Sequence, residues 1–84
     1  MNYCERILSK TENVTLNGEN VKIDTEGLEA LVASREGTVY VKAYAETENE
    51  DAFVLEKGER ITLNGSFYLN GDNAAVSVMY CRII

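Results

Sequence analysis

The chain reads as all-β: a small antiparallel β-sandwich or barrel of about seven or eight short strands in a single domain spanning residues 1–84. Three observations predict this. Apolar residues recur with period two along most of the chain. Turn residues, mainly Asn-Gly pairs, interrupt that alternation every several positions. There are six Gly and no Pro, so reversals fall to Gly and Asn. A chain of 84 residues buries roughly 60–65% of its unfolded surface, enough for one thin core.

Taken in order, Val14 and Leu16 alternate with Thr15, and Val21 and Ile23 alternate with Lys22. A four-residue loop, Asn17 to Asn20, sets Leu16 opposite Val21 and Val14 opposite Ile23, with all four on one face. Glu26 to Ser34 fits two patterns. It is either a strand or a short helix of one or two turns near residues 26–34, because Leu28, Leu31 and Val32 also have helical spacing and Asp24 or Thr25 suits a cap. As a strand it meets the next through Arg35-Glu36-Gly37, pairing Ala33 with Val39 and Leu31 with Val41. From Thr38 to Ala45 the alternation places Val39, Val41, Ala43 and Ala45 on one face and Tyr40, Lys42 and Tyr44 on the other.

Glu46 to Asp51 is a polar loop. Its acids lack the Gly and the ordered spacing of a calcium loop, so it reads as a solvated turn. Phe53 and Leu55, then Ile61 and Leu63, continue the strand pattern. Asn64-Gly65-Ser66 is expected to reverse the chain, with Leu63 facing Phe67. Asn70 to Asn73 reverses it again, with Leu69 facing Ala74 and Phe67 facing Val76.

Two segments echo one another. Val14 to Gly18 recurs as Ile61 to Gly65, which reflects shared turn chemistry. Tyr3-Cys4 near the start answers Tyr80-Cys81 near the end. The last residues, Val78, Met79, Tyr80, Ile83 and Ile84, form an apolar strand with no charged tail. An exposed strand of this kind invites pairing, so the N-terminal strand of this chain or of a neighbour is expected to cover it. Antiparallel pairing of the ends would bring Cys4 towards Cys81. Two buried thiols and a disulfide both stay open. Pairing between subunits would make a symmetric homo-oligomer.

Composition removes several chemistries. With no His there is no histidine base, ligand or nucleophile pair. The formal charge of −6, from eight basic and fourteen acidic residues, argues against a nucleic-acid surface. No apolar run is long enough for a membrane helix, and Met1 to Arg6 has no signal pattern, which gives a cytoplasmic starting point. The sequons Asn13-Val14-Thr15 and Asn64-Gly65-Ser66 read as features of Asn-rich turns. No catalytic constellation, cofactor motif or metal set stands out, and an enzyme is not expected. The candidate interface residues are Tyr3, Tyr40, Tyr44, Tyr80, Ile83 and Ile84.

The stretch from Gly37 to Tyr80 carries a strand (Thr38-Val39-Tyr40-Val41), a polar loop, the segment Leu55-Glu56-Lys57-Gly58-Glu59-Arg60-Ile61-Thr62-Leu63, then Phe67-Tyr68-Leu69 and an Ala/Val-rich last strand. In this cadence it resembles small β-rich virion proteins of tailed phages and prophages, of the head-decoration, head-fibre or tail-associated type. The L-x-x-G-E pattern also occurs in cupin barrels, whose metal-binding histidines this chain lacks. The resemblance implies a non-enzymatic virion component that oligomerises, often as a trimer, and docks on capsid or tail proteins. It transfers no binding residue. The alternatives are a carbohydrate-binding or cell-surface adhesion module using Tyr40 and Tyr44, and an acidic inhibitor that mimics nucleic acid.

Overall fold

A computed structural model describes residues 6–83. The expectations for Tyr3, Cys4 and Ile84, and for a Cys4–Cys81 approach, lie outside those residues. Six strands form: β1 (Arg6–Asn17), β2 (Val21–Glu36), β3 (Val39–Lys42), β4 (Phe53–Leu55), β5 (Arg60–Asn70) and β6 (Asp72–Ile83). All pairs are antiparallel in one sheet of order β1-β6-β2-β5-β3-β4. The all-β antiparallel class therefore holds, with fewer and longer strands than the pattern suggested. Residues 26–34 belong to β2, so the helical alternative is set aside. Among the described residues the one helical element is a 3-10 turn, Asn49–Asp51, too short to cross a membrane.

The path differs from the expected chain of hairpins. β1 runs against β6 from Arg6↔Ile83 to Asn17↔Asp72, and β2 then runs against β5 from Val21↔Leu69 to Ala33↔Arg60. These two ladders make one long ribbon that bends twice. At the first bend the Gly18 N–H donates to the Gly71 carbonyl at 2.6 Å. A Cβ on Gly71 would meet the Thr38 carbonyl oxygen at 2.8 Å, so only glycine lets the strands approach this closely. At the second bend residues 25–28 bulge opposite Gly65, between Asp24↔Ser66 and Glu29↔Asn64. Gly65 has φ +88°, and its N–H donates to the Thr25 hydroxyl at 2.8 Å.

Beyond the second bend β2 folds back beside β6, from Glu29↔Cys81 to Glu36↔Ala75. Before it, β5 and β3 pair through Leu69↔Val41, and β3 pairs with β4 through Val39↔Leu55. The strands β2 and β5 thus pass through both halves of a bent sheet, the way corners are made in orthogonal β packings. Leu16, Ile23, Val32, Val39, Leu55, Phe67, Leu69 and Val76 are buried in one cluster to which every strand contributes. Burying such side chains stabilises by about 1.5–3 kcal/mol each relative to exposure.

Four expected reversals are corrected. Leu16 and Val14 face Ala74 and Val76, where Val21 and Ile23 were expected. Ala33 faces Arg60 and Ser77, not Val39. Asn64-Gly65-Ser66 is a bend inside β5, and Gly71 turns β5 into β6 without pairing Leu69 with Ala74 or Phe67 with Val76. The physical reason is common to all four. Period two assigns each side chain to a face but names no partner, and Asn-Gly suits a bend in a strand as well as a reversal. The expected strand from Thr38 to Ala45 stops at Lys42, leaving Ala43 and Ala45 exposed. Pairing of the ends does occur within the chain, with Leu8 opposite Cys81.

Candidate functional site

Two places collect polar chemistry. The first is the bend around Gly71. Asn70, the last residue of β5, donates from Nδ2 to Asn20 Oδ1 at 2.6 Å and to the Gly18 carbonyl at 3.3 Å. Lys42, ending β3 and only 7% exposed, donates from Nζ to the same Asn20 oxygen at 3.3 Å. Asn20 in turn donates to the Ala45 carbonyl at 2.8 Å. Asn49 Nδ2 lies 3.5 Å from Asn70 Oδ1, while its own Oδ1 is buried without a partner. The buried Lys42 ammonium costs less here because an amide oxygen faces it. These bonds tie the loop after β3 to the bend.

The outer side of this network opens as a depression of about 560 Å³, with Glu46, Thr47 and Glu48 on its rim. Its groups are amides, one ammonium, one hydroxyl and carboxylates. Such a surface can hydrogen-bond a polar molecule. Among the described residues no group of three or more acidic or thiol side chains is arranged to hold a metal ion.

The second place is the arm made by β1 and the end of β6. β1 is exposed from Arg6 to Asn13 and becomes buried only at Leu16. On the core-side face of the arm, Tyr80 is buried and its hydroxyl donates to Glu12 Oε1 at 2.9 Å. Lys10 Nζ lies 4.7 Å from the centre of the Tyr80 ring, within cation–π range. Burial, helped by the Glu12 hydrogen bond and charge, pushes the Tyr80 phenol up to about 12. On the opposite face the Ser77 hydroxyl donates to Asn13 Oδ1 at 2.9 Å. Arg6 pairs with Glu29 at 2.7 Å. Ile7, Leu8 and Ile83 are exposed by 39%, 56% and 43%, so three apolar side chains stand open at the tip of the arm beside Arg6 and Arg82.

The residues singled out in the sequence scatter. Tyr80 belongs to the core and offers no open surface. Ile83 is exposed at the arm tip, far along β6 from Tyr40, which is half-buried on β3 opposite Asn70 and Val54. Tyr44 is exposed but lies beyond the end of β3, so it does not share a strand face with Tyr40. Sequence reasoning missed Asn20, Lys42 and Asn70 as a cluster, and Lys10 and Glu12 as a pair about Tyr80. A short Lys-x-Glu in a strand whose one other charge is Arg6 at its start was the available signal for the second. Comparison of the chain with protein-family models, with curated proteins and with solved structures finds no match.

Proposed function

We propose that this chain is a non-enzymatic assembly subunit: a structural or decoration protein of a phage or prophage particle. In this reading it is made in the host cytoplasm, self-associates, and docks on a capsid or tail. The observation that carries the reading is the arm. A sheet edge twelve residues long, with Ile7, Leu8 and Ile83 exposed at its tip, is a surface that isolated domains normally blunt or cover and that assembling subunits use. The acidic balance supports a protein partner over nucleic acid. Light scattering across a concentration series, followed by negative-stain imaging of the protein mixed with capsids and with tails, tests it. Association and particle decoration support the proposal. A strict monomer that never binds particles ends it.

A second reading, a carbohydrate-binding or adhesion module, is favoured by the amide-lined depression at the Gly71 bend and the exposed Tyr44 ring beside its Ala45 wall. A glycan array read with the native chain and with Tyr44→Ala separates the two. Loss of a glycan signal in the variant supports it, and silence on every glycan removes it.

A further inference from the structure

We infer that β1 is the self-association edge, and that two copies pair β1 to β1 antiparallel about a two-fold axis at Thr11. The inference rests on the assembly reading and names the surface through which it acts. Among the described residues β1 has β6 on one side and no strand on the other. Alternate backbone N–H and C=O groups from Ile7 to Thr15 are therefore available to a further strand. The opposite edge of the sheet is β4, three residues long, which offers too little backbone for a comparable ladder.

The choice of a second copy comes from charge complementarity within β1 itself. Lys10 and Glu12 flank Thr11. In an antiparallel pair centred on Thr11, each Lys10 stands directly opposite the Glu12 of the second copy, twice over. Opposite charges in that position stabilise and like charges destabilise. Both side chains are already held on one face of the strand by Tyr80, which takes Glu12 as its hydroxyl acceptor and Lys10 over its ring.

The bulge in β1 fits the same register. The ladder to β6 skips Ser9, between Leu8↔Cys81 and Lys10↔Tyr80. With Ser9 likewise skipped on the outer edge, Ile7 comes opposite the Val14 of the second copy, on the same face as the charged pairs. Exposed Ile7 and half-buried Val14 would then cover one another. Two-fold pairing is isologous and closes at two subunits, so this edge builds dimers and not the trimer that the phage resemblance implied.

The test uses charge reversal. Lys10→Glu sets Glu against Glu at both positions, and Glu12→Lys sets Lys against Lys. Each variant alone should self-associate about tenfold or more weakly than the native chain by sedimentation or light scattering. Mixed one to one, the two variants restore opposite pairs and should form a heterodimer. The double variant, Lys10→Glu with Glu12→Lys, should dimerise like the native chain. Val54→Glu, on the exposed β4 edge, is a control that should leave association unchanged. Far-UV circular dichroism checks that each variant folds.

A native dimer indifferent to both reversals overturns the β1 register while leaving the assembly reading standing. Reversal variants that weaken association but do not pair with each other also overturn it, because the loss then lies within one copy. A native chain that stays monomeric at every concentration removes the inference and the assembly reading together.

Discussion

The bend at Gly71 and the β1 arm employ similar residue types in opposite ways. At the bend, Asn20, Asn70 and Lys42 turn towards one another and bind chain segments together. Along the arm, most of β1 faces solvent, and among the described residues its backbone has a neighbouring strand on one side only. Close packing of three segments explains the first arrangement, since buried polar groups must be satisfied. The second leaves the outer backbone edge of β1 open among the described residues. The difference places the interlocked polar groups at the bend and the open strand edge on the arm.

A pair of leucines on β1 gives the largest expected contrast. Leu16 is fully buried beside the bend, whereas Leu8 is 56% exposed. Leu16→Ala should cost about 2–5 kcal/mol in chemical denaturation, because it removes buried methyl groups and leaves a cavity. A cost near that of an ordinary surface change would break the comparison, since it would mean that the core does not close at this end of β1.

Alkaline pH comes next. The Tyr80 phenol is held at about 12 against an ordinary 10, mainly by burial, so the folded chain binds this proton more tightly than the unfolded one. The associated stability is fully present below about pH 10 and is lost as pH rises towards 12. Denaturation midpoints measured between pH 9 and 12 should fall in the native chain, and fall less in Tyr80→Phe. Equal slopes in the two proteins would show that another group carries the effect.

Gly71→Ala follows, at about 1–3 kcal/mol from overpacking. The added Cβ meets a backbone oxygen, the Thr38 carbonyl, at 2.8 Å, and backbone yields less readily than a side-chain tip. Gly18→Ala makes a contrasting case, because no atom lies within 4 Å of its Cβ and any cost there comes from φ +90°. A Gly71→Ala protein as stable as the native chain would mean that the bend can open without loss.

These contrasts also show which parts of the molecule were readable in advance. The core was, because strand alternation assigns faces: Val14, Leu16, Ile23, Val39, Val41, Phe67, Leu69 and Val76 were all placed on apolar faces, and all but half-buried Val14 are buried. Pairing of the chain ends was readable too, from an apolar last strand that needed a cover. Strand partners were not, because Leu16 packs equally well opposite Ala74 or Val21 as far as pattern can tell. The polar cluster was invisible for a related reason. Asn20 and Asn70 are fifty residues apart and meet only through non-local pairing, so each looked like an ordinary turn residue.

The smallest expected effect is on the arm. Leu8→Ala should change the stability of the isolated chain by less than about 0.5 kcal/mol, as surface substitutions do. The measurement uses dilute protein, so that any binding between copies adds no apparent stability. Repeating it at high concentration sharpens the contrast. A Leu8→Ala cost that appears only when the protein is concentrated assigns Leu8 to the contact between copies. A cost of several kcal/mol in dilute protein would mean that the arm is packed within one chain, and the contrast between an interlocked bend and an open arm would fail.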